Sequence, residues 1–407
     1  MRSVDEHRAA VLALVAPLSP VTVQVGSALG LVLATDVVAA VDLPGFDNSA
    51  MDGYAVRSAE LVGAAPEAPV LLPVAGDIAA GDTRRHVLPA GQVLRIMTGA
   101  PMPEGADAVV LVELTDGGAD RVALHLAPEA GRSVRRRGED VRTGDRVLAA
   151  GTSLGPGHLA LAAAANVPEV SVHPRPRVTV VSTGDELVAA GSALEHGQIV
   201  DSNHVMLCAL VEAAGAEVAG SAHLRDDADA MRGLLDDLPG GPDLVLTTGG
   251  VSMGVYDTVK EVLTADGGVE FVKVAMRPGM PQGCGVVGRS RTPAVTLPGN
   301  PVSSFVSFHV FVLPALRRLA GLDPDADGAF EAVADTGWST APGKVELTRV
   351  VETGGRVRPS GGQGSHVLGA LSAATALAVV PAEVERVEPG DLVRCLPLLG
   401  QDRDRGL

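Results

Sequence analysis

The chain has 407 residues, more than one hydrophobic core usually holds, so several domains of roughly 150 residues each are expected. A formal net charge of −17 argues against nonspecific nucleic-acid or anionic-membrane binding; 46% hydrophobic but 2% aromatic residues leave the cores to Ala, Val and Leu. Cys208, Cys284 and Cys395 form no CxxC pair, which argues against a disulfide scaffold or zinc site, and the charged start MRSVDEHR and the lack of an apolar run of ~20 residues predict neither a signal peptide nor a membrane span.

Ser3 and Glu6 have capping-box spacing ahead of the stripe Val11, Leu14, Val15 and Leu18, which predicts a helix near 4–16. Two β-like runs follow, at 21–25 and 31–38. Residues 50–143 hold short β-like runs broken by Gly and Pro (YAVR, LLPVAGDI, GQVLRIMTGA, DAVVLVE, RVALHL). They read as a β-rich lobe inserted into an N-terminal domain of residues 1–49 and 144–173, whose return includes a helix near 158–165. After the Pro-rich HPRPR the pattern becomes β-α-β. Strands at 178–181, 217–219, 244–246, 271–274 and 294–297 alternate with helices at 202–214, 231–238 and 256–265. A last helix starts at Asn300 with Pro301 in its first position and runs toward Ala320, with Pro314 as a kink. This alternation predicts an open, mainly parallel sheet over 174–325 that binds ligands at the carboxyl ends of its strands. Residues 326–407 read as a separate β module ending in a loose tail, QDRDRGL.

The most informative stretch is LVLTTGGVSMGVYD, residues 244–257. Gly249 and Gly250 allow positive φ and close approach to a ligand, and successive exposed N–H groups make an anion nest. A carboxylate such as Asp257 just beyond a phosphate nest makes sense if a divalent cation lies between them. The plain alternative is a Gly-rich strand-to-helix turn. Three more loops follow strands: STGDEL with Thr183, Gly184, Asp185 and Glu186; Arg225-Asp226-Asp227; and LPGNPVSS with Pro298, Gly299, Asn300, Pro301 and Ser303. Backbone N–H groups at the last of these form a natural anion site, although ordinary helix starts and solvated charges look similar. Carboxylates at 186, 226 and 257 can converge at one sheet edge, as metal-assisted phosphoanhydride cleavage requires. In FVKVAMRPGMPQG, Lys273 and Arg277 either hold an oxyanion or snorkel to solvent. The lobe adds Asp47, Asn48, Ser49 and Asp52 in FDNSAMDGYAV, Thr98 and Gly99 in RIMTGAPMPEGAD, and Glu139 and Asp140 in RSVRRRGED, whose arginines face phosphate or water. No HxxxH or HExxH pair is present, and no Ser/His/Asp assignment is supported.

Taken in order, DNSAMDGYAVR, RIMTGAPMPEGADAVV, RRRGEDV, VSTGDEL, TTGGVSMGVYD, RPGMPQG, LPGNPVSS and QGSHVLGALS resemble the molybdopterin molybdotransferases, the family that includes the gephyrin E domain. The α/β part alone resembles a wider molybdopterin-binding fold, also found in adenylyltransferases and pyridine nucleotide hydrolases. The resemblance implies a multidomain α/β plus β protein: a molybdopterin-binding α/β domain, an inserted β-rich lobe and a C-terminal β module. It implies a homodimer with its cleft between the α/β domain of one subunit and the lobe of the other, and the scattered cysteines suggest a reducing cytoplasm. The implied reaction takes adenylated molybdopterin and molybdate, cleaves the adenylyl group with Mg²⁺, inserts molybdenum and releases AMP. Asp52, Thr98, Asp140, Glu186, Asp226 and Asp257 are the implied catalytic residues, with Glu186, Asp226 and Asp257 on the metal. Lys273, Arg277, Arg349 and Ser365 are implied at molybdate, Ser303 and the Gly249-Gly250 loop near the nucleotide, and Thr183, Gly184, Ser252, Pro298, Gly299, Asn300 and Pro301 as further substrate-binding residues. Contacts with molybdopterin adenylyltransferase and recipient molybdoenzymes are implied, and none with nucleic acid or membrane. Many relatives read KPGKP where this chain has Arg277-Pro278-Gly279-Met280-Pro281, so Met280 removes a cation. The alternatives are a nucleotide pyrophosphohydrolase and a non-catalytic scaffold.

Overall fold

The computed structural model describes residues 1–250, 258–265 and 268–400. It divides into two compact units: Thr22–Leu29 with Thr35–Val170, and Met1–Val21 with Gly30–Ala34 and everything from Ser171 onward.

In the first unit, the strand Gly53–Val56 lies between Ala108–Leu111 and Val93–Ile96, and Val70–Ile78 and Arg121–Leu124 extend the sheet to five strands. Tyr54 and Val56 pack into one apolar cluster and Ala55 into another, the period-2 signature of a strand buried on both faces. Short antiparallel pairs, Asn48–Ser49 with Val134–Arg135 and Val37–Val38 with Arg146–Leu148, tie the segments that enter and leave this sheet. The helix Pro156–Ala164 follows.

The second unit holds a six-stranded sheet in the order Glu217–Leu224, Arg177–Thr183, Leu244–Thr248, Thr292–Leu297, Pro281–Val287, Val269–Lys273. The first four strands are parallel, Pro281–Val287 runs against them, and the edge strand Val269–Lys273 runs in their direction again. No strand is expected between 274 and 294, yet Pro281–Val287 is one. Here glycine lets neighbouring strands close in: a Cβ at Gly283 would lie 2.2 Å from Thr296 Oγ1, and one at Gly285 1.9 Å from Gly268 O. Helices Ser202–Ala213, Ala228–Asp236 and Thr258–Ala265 connect strands, the first two capped by Asp201 and Asp227 side chains. The N-terminal helix Val4–Ala13 has the predicted capping box between Ser3 and Glu6.

Helical chain from Pro301 to Leu319 forms the centre of the core. It widens into a π-helical turn at Phe308–Val312 just before Pro314, which accommodates a residue with no N–H to donate. The segment is long and apolar enough for a bilayer span, but 83% of it is buried within the protein, as befits a core helix.

Beyond it, Val345–Thr353, Arg356–Pro359, Phe330–Ala334, Leu392–Pro397 and Ala376–Val380 pair in sequence. The last pairs back to the first, closing a small barrel. Met276–Arg277 adds in parallel to Val345–Glu346, so the barrel shares main-chain pairing with the chain leaving the α/β sheet.

Candidate functional site

In the parallel sheet, Arg177–Thr183 lies between Glu217–Leu224 and Leu244–Thr248. The chain therefore turns to one side after the first strand and to the other on its way to the third. A crevice opens at such a switch point, outside the carboxyl ends of the strands. Thr183 and Thr248 end the two strands, and above them lies a cavity of about 790 Å³. All four loops singled out in the sequence contribute to its wall: Thr183, Gly184 and Glu186; Asp226; Gly249 and Gly250; and Pro298 to Pro301.

The glycines are there for steric reasons. Gly249 and Gly250 have φ of +90° and +65°, and a Cβ at Gly249 would lie 2.4 Å from Thr183 O. At Gly184 a Cβ would lie 2.5 Å from Glu186 Oε2, so the carboxylate folds over bare backbone. A buried network supports the wall. Asn203 Nδ2 donates to Thr248 Oγ1 (3.0 Å) and Gly299 O (2.7 Å), and the Thr248 hydroxyl donates to Pro298 O (3.2 Å). Ser304 Oγ also donates to Pro298 O. Asn203, Asp201, His366 and Leu368 line the cavity but escaped the sequence reading. Asn203 had a legible signal, a polar residue just inside a capped helix start; His366 and Leu368 lie in QGSHVLGALS, a segment that carried the family resemblance but from which only Ser365 was singled out.

The acidic side holds Asp185, Glu186 and Asp226. Asp226 N donates to Asp185 Oδ1 at 3.3 Å. Desolvation, then the charges of Asp185 and Glu186, raise the Asp226 carboxyl above its ordinary pKa. Among the described residues no group of three His, Cys, Asp or Glu is disposed to hold a metal by itself. Asp257 and Ser252 lie outside the described residues.

The cations are placed differently from one another. Lys273 is exposed at a strand end, and Arg277 Nη1 lies 3.9 Å from Glu346 Oε2. Burial raises the Glu346 pKa and Arg277 opposes it. Arg349, expected at the oxyanion, is 1% exposed, and its guanidinium donates to Val367 O (2.8 Å), Gly362 O (2.8 Å), Gly364 O (3.1 Å) and Gln363 Oε1 (3.3 Å). In this arrangement it clamps the loop that carries Ser365 and His366. Ser365 O accepts from Val302 N (3.1 Å), joining that loop to the start of the core helix. Ser303 is 4% exposed and is not part of the cavity wall.

In the other unit, Asp52 and Thr98 do meet, through bonds of 2.7 and 2.8 Å. The arginine run is largely occupied: Arg136 pairs with Asp47 (2.7 Å) and Arg137 with Asp42. Asp140 is exposed, with its N–H donating to Leu43 O (3.1 Å). Ser182, Asp201 and His223 also come together, a grouping invisible in sequence. Ser182 is fully buried and donates to Asp201 instead of presenting a nucleophile to histidine, so this is an internal support.

Comparison with known proteins agrees with this geometry. Residues 2–166 match the MoeA N-terminal region (domain I and II), 179–318 the "Probable molybdopterin binding domain", and 331–398 the MoeA C-terminal region (domain IV). Molybdopterin molybdenumtransferase 2 of Mycobacterium tuberculosis is 47% identical over 96% of this chain and 98% of its own length. The molybdopterin molybdenumtransferase of Haemophilus influenzae is 35% identical over 90% and 91%. The crystal structure of the molybdopterin biosynthesis moeA protein from Pyrococcus horikoshii superposes with a TM-score of 0.81 at 28% identity, covering 98% of this chain and all of that one. With three consecutive domain matches and full-length relatives at this level of identity, the chain belongs to the MoeA family of molybdopterin molybdenumtransferases.

Proposed function

We propose that this chain is an active molybdopterin molybdenumtransferase that takes adenylated molybdopterin and molybdate, inserts molybdenum and releases AMP. The observation that carries the reading is the convergence of Gly184, Gly249–Gly250 and Gly299–Asn300 backbone with Glu186 and Asp226 around one cavity. Bare backbone suits phosphate oxygens, and carboxylates beside them suit a cation.

The donor set fits Mg²⁺. It offers hard oxygens, with one carboxyl whose pKa is raised by burial and then by its acidic neighbours, and Mg²⁺ characteristically binds one or two carboxylates together with substrate phosphates. Glu186 and Asp226 would hold it, with Asp257 as the third acid. A cation held there would supply positive charge to offset that of the pyrophosphate oxygens. The glycine loops orient the phosphates, Thr183 and Thr248 exclude water beneath them, Ser252 belongs to the nucleotide side, and the buried Ser303 supports the loop that meets it. Lys273 and Arg277 attract molybdate, with Ser365 on the loop that Arg349 fixes. We assign Asp52, Thr98 and Asp140 to substrate contacts made by the lobe in a cytoplasmic homodimer, which hands its product to recipient molybdoenzymes and receives substrate from molybdopterin adenylyltransferase. The corresponding division is 1–49 with 144–173, 50–143, 174–325 and 326–407.

The test is to incubate pure protein with adenylated molybdopterin and Mg²⁺, with and without molybdate, and measure AMP and metal-loaded cofactor together. Molybdate-dependent formation of both is expected. Molybdate-independent cleavage of ordinary dinucleotides would favour a pyrophosphohydrolase, and no reaction a scaffold.

A further inference from the structure

Of the 32 basic side chains only three are lysines, Lys260, Lys273 and Lys344; everywhere else the chain uses arginine. Two of the three meet at one turn. Lys273 sits opposite Pro281 in the antiparallel register, and the Lys344 ammonium lies 3.8 Å from Met280 Sδ. Pro281 itself is part of the cavity wall. The placement is fixed by main-chain bonds: Met276 and Arg277 pair with Val345 and Glu346, Val345 N donates to Ala275 O (2.9 Å), and Val274 N donates to Met280 O (2.7 Å).

Lys344 is half-buried and forms no ion pair among the described residues. A thioether is a weak acceptor, so this ammonium has given up hydration without gaining a charged partner. The acid two residues on, Glu346, is engaged by Arg277 (3.9 Å) and Ala341 N (3.4 Å). An ammonium is a compact point charge, whereas guanidinium is a planar fork suited to bidentate pairing. Lysine at both places, in a chain with only one other lysine, suits a small tetrahedral dianion.

We propose that Lys344, reaching over from the barrel, binds the oxyanion substrate together with Lys273 and supplies the positive charge that Met280 leaves out of the turn. The inference rests on the transferase reading for the identity of the anion, molybdate. It makes Lys344 a determinant of anion affinity, separate from the nucleotide loops.

Molybdate binding to the full-length protein, measured by calorimetry beside AMP binding, tests it. Lys344→Met is expected to weaken molybdate by at least about tenfold and leave AMP affinity within about twofold. The double variant Met280→Lys with Lys344→Met is expected to recover most of the loss, because the new ammonium starts from the same turn. Lys344→Gln serves if the methionine variant does not fold. A variant that binds molybdate as well as the wild type overturns the proposal alone. Wild-type protein that binds no molybdate overturns the transferase reading, and this inference with it.

Discussion

Asp52 Oδ1 accepts two hydrogen bonds from Thr98, one from the main-chain N–H at 2.7 Å and one from the hydroxyl at 2.8 Å. These two bonds, in that order, hold the Asp52 carboxyl below its ordinary pKa, with help from the Arg95 charge. Thr98→Val removes the hydroxyl bond and keeps the backbone one. The Asp52 pKa is expected to rise part of the way toward about 3.9, followed by carbon-detected NMR titration. A lowered folded pKa contributes stability that is present above the unfolded value and lost as pH falls through the folded one, so the variant gains less on leaving acid. Asp52→Asn is expected to lower turnover with the lobe still folded.

Asp226 has the opposite sign. Its raised pKa means that its contribution to stability is present below the unfolded pKa and lost as pH rises through the folded one. The charged carboxylate is thus a local strain at neutral pH that a bound cation relieves. Asp226→Asn is expected to raise the melting temperature in chelator, abolish most of the further rise on adding Mg²⁺, and lower AMP release by roughly a hundredfold or more. A lower melting temperature in chelator would show that the carboxylate is not under strain.

The sequence made the α/β sheet legible because its strands are continuous apolar runs ended by glycine loops, and those ends face one crevice in any parallel sheet with this order. Gly249 and Thr183 could be placed on that rule alone. The loop contacts of Arg349 could not: an arginine bonded to four main-chain or amide oxygens looks, in sequence, like any other. Pro281–Val287 was hidden because its glycines answer to neighbouring strands and not to a turn. Lys344 was hidden because its partner, Met280, is 64 residues away.

His7 and His309 set the acid limit of the core. Burial pushes both rings down to about 4; at His7 the Arg2 charge adds to this and Glu270 opposes it, and at His309 the bond to Phe305 O opposes it. A lowered histidine pKa leaves stability intact above about 6.5, and it is lost as pH falls toward 4, on the order of 3 kcal/mol per ring. Neither nitrogen of His7 has a hydrogen-bond partner, while its ring stands edge-on to Phe311 at 4.7 Å. His7→Phe removes two orphaned polar atoms and keeps the aromatic packing. It is expected to move the acid unfolding midpoint to lower pH with no loss of stability at pH 7, measured by urea titration across the range.

Arg349 offers the clearest separation of support from contact. Its guanidinium is buried without a carboxylate, and burial lowers its pKa. Arg349→Met strands the Gly362, Gly364 and Val367 carbonyls in a dry interior, which is expected to cost roughly 2–4 kcal/mol in urea unfolding. Arg349→Lys keeps the charge but cannot serve all of these acceptors, so it should fall between. Because the clamped loop brings His366 to the cavity wall, substrate KM is expected to rise in both variants while kcat changes less. Loss of molybdate binding at unchanged stability would instead place the guanidinium on the anion, and the clamp would then be a resting arrangement that substrate displaces.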